Sequence, residues 1–151
     1  MTGATSAGDE HAEHLAPDGV ALDCHCGEFS WREAGVASGR LPFVLLHGLT
    51  GSRLSWEPQL AALAADRRAA AWDLPGYGQS LPVDASLGFR GLADAVARWC
   101  DALGAPRVHL AGLSYGGMIA QYAAVYHPDR IASLALLATS PKFGLDGTEP
   151  S

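Results

Sequence analysis

The stretch HLAGLSYGGMIAQYAA, His109 to Ala124, decides how this chain folds. An apolar run, RVHLAG, leads into it from Arg107. Met118, Ile119, Tyr122, Ala123, Val125 and Tyr126 lead out at helical spacing, in a segment that must end before Pro128. Between run and helix, Ser114 stands among Gly112, Gly116 and Gly117. Gly112-Leu113-Ser114-Tyr115-Gly116 fits G-x-S-x-G in a strand–turn–helix setting. The glycines have a steric reason: where a chain reverses this sharply, the positions two before and two after the apex come close, and a β-carbon at either would collide. The pattern predicts Ser114 at the apex, strained, its hydroxyl projecting from the carboxyl edge of a sheet. There, helix N–H groups stabilise developing negative charge. The plainer alternative is a serine helix cap in a glycine-rich loop.

Working outward, the same alternation recurs. LPFVLLHG (41–48) is a continuous apolar run of the kind buried on both faces of a parallel sheet. Ser55 is placed to cap a helix bearing Trp56, Leu60, Leu63 and Ala64, with Pro58 in its first turn. RAAAWDL (68–74) reads as the next strand and PGYGQS (75–80) as a turn-rich loop. Leu92, Val96, Trp99, Cys100 and Leu103 predict a helix over 89–103, stopped by Gly104 with Pro106 beyond. Upstream, VALDCHC and EFSWREAG read as two short strands around Gly27; IASLALLAT (131–139) reads as a last one. Two strands followed by strand–helix repeats predict an α/β fold. Its sheet would be mostly parallel and doubly wound, with helices on both faces. Residues 1–19, poor in apolar pattern, are expected to form a disordered tail, and 20–151 the core.

Bulk composition narrows the function. A chain of 151 residues, 48% hydrophobic and 17% charged, can bury one modest core. A net charge of −6, with basic residues scattered, argues against nucleic-acid binding. No run is long enough to span a bilayer, and no positive n-region precedes an apolar stretch, so a cytoplasmic location and no membrane partner are expected. Cys24, Cys26 and Cys100 are an odd number, which favours reduced thiols. His11 and His14, in the tail, are too few for a metal site, and no metal or cofactor is expected.

Two further motifs accompany the serine: His47-Gly48-Leu49-Thr50-Gly51 after one predicted strand and Asp73-Leu74-Pro75-Gly76-Tyr77-Gly78-Gln79-Ser80 after the next. Together with GLSYGGMIAQYAAVYHPDRI they resemble the α/β-hydrolase fold family, over roughly residues 20–143. The segment from Gly116 to Gly144 looks like the 3-oxoadipate enol-lactonase and small esterase branch. The resemblance implies that Ser114 is the nucleophile, that the backbone N–H groups of Leu49 and Tyr115 form an oxyanion hole, and that His47 braces the loop presenting Leu49 rather than acting as the base. Asp73 would stabilise its own turn. A serine at position 114, where dehalogenases and epoxide hydrolases of this fold use aspartate, points to acyl transfer on a small-molecule ester or lactone.

A serine hydroxyl needs a base, and the family's chain order is serine, acid, histidine. Only 37 residues follow Ser114. His127 lies thirteen positions on, at about 1.5 Å per helical residue, far outside contact, and Asp129 shares that problem. Asp146 falls late and has no histidine to orient. His109 reads as a satisfied core histidine. The expectation is an amino-terminal part of a serine hydrolase, truncated after the sixth strand, lacking lid and last strands and inactive alone. Its final strand would be an open edge prone to self-association. The alternatives are a non-catalytic hydrolase-like binding module, or a C–C hydrolase or cofactor-free haloperoxidase or perhydrolase on the same fold.

Overall fold

A computed structural model describes residues 21–141. The chain begins with a hairpin, β1 (Leu22–Cys26) and β2 (Phe29–Ala34), turning at Gly27 with φ +57°. Then come β3 (Phe43–Leu46), α1 (Glu57–Leu63), β4 (Ala69–Trp72), α2 (Gly88–Ala102), β5 (Val108–Leu113), α3 (Tyr115–Tyr126) and β6 (Ile131–Leu137). The sheet order is β1-β2-β4-β3-β5-β6. The pairs β1–β2 and β2–β4 are antiparallel; β4–β3, β3–β5 and β5–β6 are parallel. This is the mostly parallel, doubly wound sheet that the alternating pattern predicts.

Helices cover both faces. On one side α2 and α3 pack on Val44, Leu46, Ala70, Trp72 and Leu110; on the other, Leu60 of α1 packs on Leu45, Ala69, Ala71 and Ala111. The first side is anchored by aromatic rings. Trp31 and Trp72 are register partners on adjacent strands, and Trp99 of α2 stacks on Trp72 at 5.4 Å and meets Trp31 edge-on at 6.5 Å. All three are wholly buried. The five apolar positions that predict α2 are buried too, and the helix stops as expected: Gly104 takes φ +63°, its N–H bonds to Asp101 O, and Ala105 N–H bonds back to Cys100 O.

One boundary differs from expectation. Ser55 does not cap α1: a 3₁₀ turn over Arg53–Trp56, capped by Ser52, precedes the helix, and Trp56 at the N-cap of α1 makes no side-chain capping bond. Ser52 is extended and accepts from Leu54 N, while Ser55 Oγ accepts from Ser52 N at 3.0 Å, a reciprocal capping box. The thiols are unbridged; burial pushes Cys100 up to about 12 and Cys24 up to about 11, so both stay protonated and unreactive. Among the described residues β6 is an edge strand, with Leu134, Leu136 and Leu137 exposed. No helix there is long and apolar enough to cross a membrane. The expected tail, with His11 and His14, and the late Asp146 lie outside the described residues.

Candidate active site

Three parallel strands, β4, β3 and β5, end on one edge of the sheet, and each carries a motif just past its end: Asp73, His47-Gly48 and Ser114. Ser114 has φ +52° and ψ −117°, left-handed backbone that a side-chain-bearing residue rarely adopts. Four hydrogen bonds hold it there. Its N–H donates to Leu137 O at 2.9 Å, and its carbonyl accepts from Gly117 N, Met118 N and Thr139 Oγ1. Ser114 is exposed and occupies the N-cap position of α3, but its side chain makes no capping hydrogen bond to a helix N–H.

The glycines pack as the reversal requires. A β-carbon on Gly112 would stand 2.6 Å from Gly116 C and Gly117 Cα; one on Gly116 would stand 2.5 Å from His47 O. Gly117 lies against Thr139, which reaches past it to Ser114 O. Gly48 gives the approach to the hydroxyl: a β-carbon built on it would lie 3.4 Å from Ser114 Cβ and 3.9 Å from Oγ. The backbone just before Leu49 is thus brought beside Ser114, and Tyr115 follows Ser114 as the first residue of α3. The Tyr115 ring lies 5.3 Å from Phe89, and burial, with Tyr77 nearby, raises its phenol above the ordinary range.

His47 is fully buried and both ring nitrogens are engaged: Nδ1 donates to Gly48 O at 2.7 Å and Nε2 accepts from Leu74 N at 2.9 Å. That pairing fixes a neutral tautomer and leaves no lone pair for Ser114. Burial lowers its pKa from 6.5, only partly opposed by Gly48 O and the Asp73 charge. Between that lowered value and 6.5 the unfolded chain binds more protons than the folded one, so stability is full above 6.5 and declines as pH falls below it. We expect urea midpoints to drop between about pH 8 and pH 5, and His47→Gln to flatten that slope while costing about 1–3 kcal/mol at the upper end.

Asp73 does more than the local turn expected of it. Its buried carboxylate accepts from Ser30 Oγ (2.7 Å), Arg53 N (3.0 Å) and Arg53 Nη1 (2.9 Å), tying its turn to two distant segments. Arg53 continues outward to Asp23. The other described histidines are placed elsewhere. His109 lies five residues before Ser114 on β5, about 16 Å at strand rise, bonded to Ser133 Oγ and against Phe43. His127, beyond the far end of α3, bonds Asp94 at 2.7 Å. His25 is on β1, four strands away. Sequence reasoning missed Tyr77, whose hydroxyl donates to Leu49 O at 2.8 Å; the glycines on either side of it were the available signal.

Comparison with known proteins places the fold. Residues 42–150 match the family profile of the α/β hydrolase fold. The chain is 39% identical, over 73% of its length, to the dihydrolipoyllysine-residue acetyltransferase component of the acetoin cleaving system of Pseudomonas putida, spanning 30% of that protein. It is 39% identical to a pimeloyl-[acyl-carrier protein] methyl ester esterase of Aeromonas hydrophila, over 66% of this chain and 38% of that one. Among solved structures, an epoxide hydrolase from an endophytic Streptomyces superposes with TM-score 0.67 at 30% identity, over 79% of this chain and 37% of that one. The chain spans about a third of the length of the curated relatives it matches.

Proposed function

The chain belongs to the α/β-hydrolase fold family, and on that premise we propose that it carries the nucleophile of a serine hydrolase acting on carboxylic esters or lactones. The observation that carries this reading is the backbone of Ser114, an exposed residue held at φ +52° with the Gly48 backbone alongside. Strain of that kind costs about 1–3 kcal/mol, and the Ser114 side chain makes no capping hydrogen bond to offset it; presenting the hydroxyl to a substrate gives it a use.

In the proposed reaction Ser114 Oγ attacks the carbonyl carbon and its proton passes to a base. The carbonyl oxygen takes the negative charge beside the N–H groups of Leu49 and Tyr115. The alkoxide then leaves with a proton, and water releases the acyl group from Ser114. Each such N–H donor contributes about 3 kcal/mol of barrier lowering. The described histidines are all bonded or remote, so base and acid come from outside residues 21–141 in this reading. The esterase relative supports acyl chemistry. The test is covalent labelling of the full-length protein by a fluorophosphonate. We expect an adduct on Ser114 that Ser114→Ala abolishes; an unlabelled wild-type protein would end the assignment.

The open edge gives the 151-residue chain a second proposed property. β6 leaves one side of its backbone unpaired among the described residues, flanked by Leu134, Leu136 and Leu137. Such an edge recruits another strand, and a second copy supplies one. We expect sedimentation to show dimers or larger species, shifted toward monomer by Leu136→Lys. A monomer at every concentration would refute it.

A further inference from the structure

We propose that Tyr77 is a positioning residue for the anion-binding loop, acting through the carbonyl of Leu49; this rests on the serine-hydrolase reading. The argument is about two peptide planes. The N–H of Leu49 shares its plane with Gly48 O, and in a trans peptide the two point opposite ways. Gly48 O is held by His47 Nδ1 at 2.7 Å and by Gly51 N at 3.0 Å, so the Leu49 N–H is aimed from behind. The next plane carries Leu49 O, and the Tyr77 hydroxyl holds it at 2.8 Å. With both planes pinned, Leu49 cannot swing its N–H away without breaking a bond.

Packing alone does not hold this loop, since the Leu49 side chain is 51% exposed. Tyr77, by contrast, is well fixed. Its N–H bonds to Leu74 O at 2.7 Å, its carbonyl accepts from Ser80 N at 2.9 Å, and its ring meets the edge of His47 at 5.3 Å. The turn around it needs glycine on both sides. Gly76 takes φ +88° and Gly78 φ +54°, and a β-carbon on Gly78 would overlap the Asp73 carboxylate. The motif after β4 thus works as a post, seated on the buried Asp73 clamp, that carries one hydroxyl to the neighbouring loop.

Tyr77→Phe keeps the ring and removes only the hydroxyl. In the full-length protein we expect kcat for ester hydrolysis and the rate of fluorophosphonate labelling to fall about 5- to 30-fold. KM should stay within about twofold, and a boronate that mimics the tetrahedral intermediate should bind more weakly by the same factor as kcat. Wild-type and variant labelling at the same rate would overturn the proposal alone. A wild-type protein that does not label would overturn the acyl-enzyme reading, and this inference with it. A rate loss matched by an equal loss of folded protein would assign Tyr77 to packing and overturn positioning; Tyr77→Trp, which keeps a ring but cannot place a donor at the same point, should repeat the kcat loss.

Discussion

Replacing Ser114 by alanine is expected to lower ester hydrolysis by the full-length protein by about four orders of magnitude or more, with the folded structure intact. The two halves of that statement have separate causes. In the proposed mechanism the rate collapses because Ser114 Oγ forms the acyl bond, and the residual rate reflects binding and N–H stabilisation acting on water. Stability survives because the bonds that hold residue 114 are all made by its backbone: N–H to Leu137, carbonyl to Gly117, Met118 and Thr139. The side chain is exposed and caps nothing, so alanine leaves no buried partner behind. Steady-state kinetics and a thermal melt on the same sample check both. A variant that keeps more than a hundredth of the rate would move the nucleophile elsewhere.

Gly116→Ala is expected to do the reverse, damaging fold first and chemistry as a result. Its β-carbon would press on the carbonyls of Leu46 and His47, with His47 O at 2.5 Å. Those atoms belong to the end of the central strand β3, hydrogen-bonded between β4 and β5, and cannot step aside as a side chain could. Overpacking of this kind costs about 1–3 kcal/mol or more, roughly 2–12 °C in melting temperature for a chain of this length. The displaced His47 would carry Gly48 and Leu49 with it, so kcat should fall as well. Gly27→Ala is the control: φ is +57° there but nothing lies within 4 Å, so only the backbone penalty of about 1 kcal/mol applies. If the two alanines cost the same, the crowding account of the elbow is wrong.

Much of this was readable in the residues and some could not be. The helix over 88–102 and its glycine stop follow from spacing and one positive φ, both local properties. The elbow was legible because glycines two before and two after a serine have little other use between a strand and a helix. Strand order was not: periodicity says that a run is buried, not that β3 lies between β4 and β5 or that β2 crosses to β4. The partners of Asp73 were hidden for the same reason, since Arg53 is 20 residues away and Ser30 is 43. In sequence Asp73 has the look of a turn residue because Pro75, Gly76 and Gly78 follow it. Ser55 invites the cap role in sequence because the apolar Trp56 directly follows it; the 3₁₀ turn over Arg53–Trp56, capped by Ser52, shows only in the backbone.

The buried indole cluster of Trp31, Trp72 and Trp99 has a practical consequence. They come from the amino-terminal hairpin, the parallel part of the sheet and α2, three pieces that meet only when the domain is assembled. Their emission should be blue-shifted while the rings stay dry and should move to the red once water reaches them. The protein therefore carries its own optical gauge, and a single fluorescence trace will tell whether hairpin, sheet and helix come apart together or one at a time.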